Sequence, residues 1–393
     1  MPRRGRQFIQ LPGPTNVPHR ILSAMHHPMV DFAGAEFSRM ARGCLDDLRR
    51  VFQTAGPVYA YSANGHGGWE VVLDNLLALG DTVLMPETGR FSQSWGEMAR
   101  ALGLEVQTTA AFHDRPLDPA AVEAALRADR RHAIKAVAMV QVETSTGITH
   151  DVRGVRAAID AAGHPALLLV DAIASLACID LPMDRWGVDL VVTASQKGLM
   201  MPAGMAFVAV GPRAQRVAAT GGAPRRYWDW RLREGEETYL WFYGTPPVQM
   251  MFGLREALDM LFEEGLPAVF ARHHRLAEAT RRAVARWGEN GDVAFQCTVP
   301  AGRSDVVTAL GFPSGADPDA LRALCRDRLS VAFGGGIGPF AGQLLRIGHL
   351  GDLNEPMLLG ALGGLEVAMR ASGVAHVGGG VDAAAQYLAD TLD

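Results

Sequence analysis

Between residues 57 and 210, seven short apolar runs alternate with stretches of helical periodicity. The runs lie at 57–60, 82–85, 105–107, 136–142, 166–171, 190–193 and 205–210, and the helical stretches include 69–79, 93–102, 119–128 and 152–162. This alternation constrains the fold more than any other feature of the chain. A strand that is apolar along its length, rather than at every second position, is covered on both faces. Strands that alternate with helices are joined by crossovers and lie parallel. The expectation is an α/β domain built on a mostly parallel seven-stranded sheet, with ligands bound beyond the carboxyl ends of its strands. Near residue 246 the texture changes. Two long helical patterns, 247–264 and 267–287, precede short strands at 293–297, 306–310 and 344–347 and helices at 318–327, 356–371 and 383–392. That reads as a smaller α+β C-terminal domain. The expected organisation is an arm over 1–20, a large domain over 21–262 and a small domain over 263–393. The arm reads as irregular because Leu11-Pro12-Gly13-Pro14-Thr15-Asn16-Val17-Pro18 is too rich in proline for a helix or a central strand. Gly378-Gly379-Gly380 reads as a hinge before a last helix.

Composition excludes several function classes. At 48% hydrophobic and 20% charged residues, the 393-residue chain has ample material for a core. Its net charge of −5, with no basic stripe, argues against nucleic acid as the main partner. No run of about 18 apolar residues is present, so no membrane span is expected. The basic start, Met1-Pro2-Arg3-Arg4-Gly5-Arg6, is not followed by the apolar core of a signal peptide. A cytoplasmic location follows by default. The four cysteines, Cys44, Cys178, Cys297 and Cys325, form no CxxC pair, so neither a zinc site nor a redox motif is indicated.

The chemistry-bearing signal is a lysine. Only Lys135 and Lys197 occur among 37 Lys and Arg residues. Arginine-rich codon usage could account for that count but not for where Lys197 stands. Lys135 follows Arg130-Arg131-His132 at a strand entry and reads as a solvated terminus. Lys197 lies in Thr193-Ala194-Ser195-Gln196-Lys197-Gly198, just past a buried strand. An amine can lose its proton and act as a base or nucleophile, which guanidinium does not. Upstream, the run Ala166-Leu167-Leu168-Leu169-Val170 ends in Asp171. A strand-end Asp beside a strand-end Lys suggests a pyridoxal phosphate site.

Such a site needs four things. Lys197 is the candidate amine that holds the cofactor and later moves a proton, with a pKa expected to fall near the cofactor's phosphate and ring nitrogen. Ionised Asp171 would keep the ring nitrogen protonated. A phosphate cradle is offered by Asn64-Gly65-His66-Gly67, just before a helix whose N-terminal N–H groups suit an anion, with Gln196 as a further donor. Phe91 and Ile173 are candidates to cover the two faces of the ring. Taken singly, each element has an ordinary structural explanation; their order and their placement at strand ends make the combination specific.

With these residues in view, the chain resembles the class V aminotransferases of fold type I, closest to the serine–glyoxylate and alanine–glyoxylate group. The likeness covers nearly the whole chain. It runs from Pro12-Gly13-Pro14-Thr15-Asn16 through Glu143-Thr144-Ser145-Thr146-Gly147, Val170-Asp171-Ala172-Ile173-Ala174-Ser175 and Ser195-Gln196-Lys197-Gly198 to Leu345-Arg346-Ile347-Gly348-His349-Leu350-Gly351. The resemblance implies that Lys197 is the Schiff-base lysine, that Asp171 pairs with the pyridinium nitrogen and that Thr144 contacts the ring oxygen. It implies Asn64, Gly65, His66 and Gln196 as phosphate ligands and Phe91 as the stacking aromatic. It implies Arg346 as the grip on the substrate carboxylate, for which a planar fork is suited. It also implies that Thr245, in Tyr243-Gly244-Thr245-Pro246-Pro247, reaches the phosphate of a neighbouring subunit, hence a homodimer with shared active sites.

The implied activity is ping-pong transfer of the amino group of a small amino acid to a 2-oxo acid, glyoxylate being the expected acceptor. The sequence departs from the family pattern at the entrance, where Asp31-Phe32-Ala33-Gly34-Ala35-Glu36-Phe37 lacks a His and an Arg. It departs again at Val142, where a polar residue is usual, and at Asn64 and His66, where relatives often carry Ser and Thr. Less positive charge at the entrance favours a small neutral donor, serine or alanine. Within the same cofactor class the alternative is a lyase or desulfurase, which needs a mobile cysteine. Cys325, in Leu321-Arg322-Ala323-Leu324-Cys325, reads as packing. From a different class, Gly336-Ile337-Gly338-Pro339-Phe340-Ala341 formally fits the GxGxxA of dinucleotide-dependent oxidoreductases. It lacks the strand–turn–helix context, and Pro339 stands where a helix N–H is wanted.

Overall fold

The computed structural model describes residues 5–222 and 225–392; residues 1–4 of the arm, residues 223–224 and residue 393 lie outside the described residues. The strands in chain order are β1 (Phe8–Gln10), β2 (Val58–Tyr61), β3 (Thr82–Leu84), β4 (Glu105–Gln107), β5 (Ile134–Val140), β6 (Val142–Glu143), β7 (Ile148–Thr149), β8 (Leu167–Asp171), β9 (Leu190–Ala194), β10 (Ala206–Val210), β11 (Ala294–Phe295), β12 (Val307–Gly311), β13 (Val331–Gly335) and β14 (Leu344–Gly348). The helices are α1 (His19–Met25), α2 (Ala35–Phe52), α3 (Gly65–Leu76), α4 (Arg90–Ala101), α5 (Pro119–Ala128), α6 (Val152–Ala161), α7 (Pro212–Thr220), α8 (Thr238–Phe242), α9 (Val248–Glu264), α10 (Leu266–Trp287), α11 (Pro318–Leu329), α12 (Glu355–Ala371) and α13 (Gly380–Asp390).

Each apolar run expected between residues 57 and 210 contributes a strand to one seven-stranded sheet of order β2-β10-β9-β8-β5-β3-β4. The pairs β3–β4, β3–β5, β5–β8 and β8–β9 are parallel, and β10 runs antiparallel to both β9 and β2. The strands alternate between two cores, as the pleat requires. Val137, Met139, Leu168, Val170 and Val191 enter a core shared with α2, α6 and α9. Ala136, Ala138, Leu167, Leu169, Leu190 and Val192 enter the opposite one, shared with α3, α4 and α7. Every residue of β8 and β9 is buried, and each fully buried Leu or Val there contributes about 1.5–3 kcal/mol by leaving water. Several helices start where an Asp or Asn accepts an N–H of the first turn and a proline follows, as at Asp118 before α5 and Asp317 before α11.

A second, five-stranded sheet has the order β1-β13-β14-β12-β11 and packs against α10, α11, α12 and α13. Here the structure departs from the sequence reading in two places. Residues 8–10 of the arm are not irregular but form an edge strand parallel to β13, a pairing that bridges more than three hundred residues of chain. β13 itself was not expected, because Val331-Ala332-Phe333-Gly334-Gly335 runs straight into a glycine-rich turn. No helix among the described residues is long and apolar enough to cross a membrane.

Candidate active site

Because β2, β5, β8 and β9 all point the same way, their carboxyl ends gather at one edge of the large sheet. The residues that follow them line a cavity of about 250 Å³. Asp171 ends β8. Lys197 lies three residues past β9, the neighbouring parallel strand. Asn64, Gly65 and His66 open α3 after β2. Thr144 follows the short β6, and Phe91 sits in the first turn of α4. Together with Ile173 and Gln196, all of these line the cavity.

Lys197 is half-buried, and its Nζ donates to the Pro12 carbonyl. Gly13 presses against the same side chain. Its φ of +107° favours glycine, and a Cβ there would overlap the amine. The arm therefore seats the lysine. Burial, then the positive charge of Arg346, bring its ammonium from the usual lysine range down to about 8. In the protein alone, burial and Arg346 already lower it.

Asp171 is 4% exposed. Its Oδ1 accepts from the Ile173 backbone N–H at 2.7 Å and its Oδ2 from the Trp69 indole N–H at 3.0 Å. Burial pushes its carboxyl up to about 7, against the opposing pull of those two donors.

At the start of α3 the Asn64 side chain accepts from the His66 and Gly67 N–H groups at 3.1 and 3.3 Å. Two of the expected cradle donors are thus engaged by the cap itself, while the Gly65 N–H has no partner among the described residues. A Cβ on Gly65 would come within 2.6 Å of Ile173 Cδ1 and would push that side chain aside. The Gln196 Oε1 is buried without a partner. Phe91 is held by its backbone. Its N–H donates at 3.0 Å to Oε2 of the fully buried Glu143, whose Oε1 takes the Ser145 hydroxyl at 2.6 Å.

Two expected residues stand off the cavity wall. Arg346, on β14, is buried, and its fork is not free: Nε donates to the Gly335 carbonyl at 2.6 Å and Nη1 to the Thr144 carbonyl at 2.9 Å. Among the described residues, only Nη2 of the three nitrogens lacks a partner. Burial lowers the guanidinium to about 10. Thr245 is exposed and does not line the cavity within the single chain. Sequence reasoning missed Trp69, whose signal was its position one turn into α3, and the carbonyl of Pro12. Val142, a departure from the family pattern, lies on the cavity wall.

The competing readings find no support in this geometry. Cys325 is fully buried on α11, with its thiol pushed up to about 11 by that burial. The Gly336–Ala341 stretch is a 3-10 turn between antiparallel β13 and β14, with no helix N-terminus to meet a pyrophosphate.

Comparison with known proteins adds to this picture. The Aminotransferase class-V family model matches residues 11–336. A serine–glyoxylate aminotransferase of Methylorubrum extorquens is 42% identical, covering 98% of this chain and 97% of that protein. An L-aspartate–glyoxylate aminotransferase of Paracoccus denitrificans is 37% identical over 98% of this chain and 96% of its own length. Among solved structures, a ureidoglycine–glyoxylate aminotransferase from Bacillus subtilis superposes with a TM-score of 0.89 at 27% identity, over 98% of this chain and 99% of that one.

Proposed function

The chain belongs to the class-V aminotransferase family, and from that premise we propose that it moves the amino group of serine or alanine to glyoxylate by a ping-pong route, with pyridoxal 5'-phosphate as cofactor. Aminotransferase activity follows from the family; the donor, the acceptor and the residue roles are our reading. The observation that carries it is the pairing of a lowered lysine with a buried carboxylate on one cavity wall. The rest of the wall suits the same group. It offers the Gly65 N–H and the Gln196 side-chain N–H for a phosphate, Phe91 and Ile173 for the ring faces, and the Thr144 hydroxyl for the ring oxygen.

When bound, the cofactor supplies an aromatic ring that takes up the electron pair left as the substrate α carbon loses its proton. The protein does the rest. Lys197 would anchor the cofactor and then, as a free amine, move the proton from the substrate α carbon to the cofactor's aldehyde carbon, with the reverse transfer in the second half-reaction. Ionised Asp171 keeps the ring nitrogen protonated. Arg346 would offer Nη2 to the substrate carboxylate, its two backbone bonds holding the guanidinium plane. Val142 on the cavity wall carries no charge, and the sequence has Phe32 and Ala33 where the family pattern has a His and an Arg; both favour a small neutral donor over aspartate. Thr245 would complete the phosphate site of a partner subunit in a cytoplasmic homodimer. The same reading keeps the large and small domains divided near residue 262.

A panel of donors offered with glyoxylate and with pyruvate tests this reading. Serine or alanine with glyoxylate is expected to give the highest kcat/KM. Preference for aspartate, or no transfer to glyoxylate, would contradict it. Arg346→Lys is expected to raise the amino acid KM about 10-fold or more with kcat less affected. A point charge cannot keep both carbonyl bonds and still reach a carboxylate, and a charge-assisted bond is worth about 1.5–3 kcal/mol. An unchanged KM would move the carboxylate site elsewhere.

A further inference from the structure

Trp69 is 1% exposed, in the first turns of α3, and its ring borders the cavity. Its Nε1–H donates to Asp171 Oδ2 at 3.0 Å, a fully buried bond between α3 and the end of β8. The indole is held in place by its neighbours. It stacks on Trp95 at 5.7 Å with 16° between planes, meets Phe91 edge-on at 6.3 Å, and lies 4.5 Å from the His66 ring. The stacked partner is chemically different in one respect: the Trp95 Nε1 is buried and has no partner among the described residues. Of two indoles in one stack, one spends its N–H on the site carboxylate and the other spends it on nothing.

An indole N–H can only donate. Aimed at a carboxylate oxygen, it stabilises the charged form and fixes the plane of the group. We propose that Trp69 is a positioning residue for Asp171: with the Ile173 backbone N–H on the other oxygen, its indole keeps the carboxylate ionised and oriented, leaving the remaining lone pairs turned to the cavity. The proposal deepens the reading above, in which Asp171 meets the cofactor's ring nitrogen.

The competing influences on Asp171 are few and point both ways. Burial and the carboxylate of Glu143, beyond β5, disfavour its charge. The two N–H donors and Lys197, three residues past β9, favour it. The balance leaves Asp171 near 7, close enough to neutrality for one hydrogen bond to decide its state at physiological pH. Without Trp69 the carboxyl would hold its proton, and a neutral acid cannot keep a ring nitrogen charged.

The test reads Asp171 directly. Full-length apoprotein carrying carboxyl-labelled aspartate is titrated by carbon NMR, and the Asp171 resonance is identified by its absence in Asp171→Asn. Trp69→Phe is expected to raise the Asp171 midpoint by about one unit. Trp95→Phe makes the same ring substitution in the same stack without touching Asp171, and is expected to leave the midpoint where it is in the parent protein. Should Trp69→Phe not fold, benzothienylalanine at position 69 keeps the ring's shape and replaces N–H by sulfur; the same rise is expected. An unmoved midpoint on losing the N–H overturns the proposal. So does an equal shift in Trp95→Phe, which would make the effect one of packing. The titration needs no cofactor, so its failure is separate from a failure of the cofactor assignment.

Discussion

Lys197→Ala is expected to lower kcat by about 10⁴-fold, the upper end of what a positioned acid–base group contributes, because one amine is asked both to anchor the cofactor and to carry the proton. The structure prepares it for both tasks. The Pro12 carbonyl and Gly13 seat the side chain. Burial and Arg346 bring the ammonium to about 8, so a usable fraction is neutral at physiological pH. The substitution is not expected to weaken the fold. An amine whose folded pKa lies below its unfolded value opposes folding while it is protonated, and that opposition is relieved as pH rises from about 8 toward the usual lysine range. Thermal melting of the apoprotein near pH 7 should therefore show the alanine variant at least as stable as the parent. Wild-type turnover in this variant would refute the role. A melting point lowered by many degrees would mean that Lys197 is chiefly structural.

Asp171→Asn is expected to cost about 10²- to 10³-fold in kcat, the range seen when a single preorganised charge-stabilising group is removed. Asparagine is nearly the same shape but carries no charge, so it cannot keep the ring nitrogen protonated. Two effects on stability oppose each other. The folded pKa of Asp171, about 7, lies above the ordinary carboxylate value, so its ionisation works against folding as pH rises through that interval and is fully felt above about 7. Asparagine removes that burden. The two N–H donors sit on different oxygens, however, and asparagine replaces one of them by an NH2 that cannot accept from its Ile173 or Trp69 partner. Activity measured beside apoprotein melting at pH 5 and pH 8 separates the two. The variant should gain stability relative to the parent at the higher pH while losing turnover at both. Turnover within a factor of a few of wild type would remove Asp171 from the chemistry.

The large sheet was legible in the sequence because its strands are local signals. An apolar run such as Leu167–Asp171 must be buried on both faces wherever it goes, and helix–strand alternation then limits the order. Lys197 and Asp171 were legible for a related reason: each is a polar residue set at the end of a buried strand, where α/β sheets bind ligands. What escaped depends on contacts between distant segments. The pairing of Phe8–Gln10 with Val331–Phe333 leaves no trace in either stretch. The bond between Trp69 and Asp171 joins residues 102 apart, and an aromatic early in a helix reads as core. Arg346 was legible as a residue type. That its fork is already tied to Gly335 and Thr144 is a property of β14 lying beside β13 and the turn after β6. Thr245 does not line the cavity of its own chain.

The central claim is that Lys197 is the residue that holds the cofactor. The chain has one other lysine, Lys135, exposed at the opposite end of β5 with its Nζ on the His132 carbonyl. Borohydride reduction of the cofactor-loaded protein, followed by digestion and mass mapping, therefore has two places to look. The pyridoxyl mass is predicted on the peptide containing residue 197 and absent from the one containing residue 135. A label on Lys135, or on neither peptide from a fully loaded sample, would contradict the account.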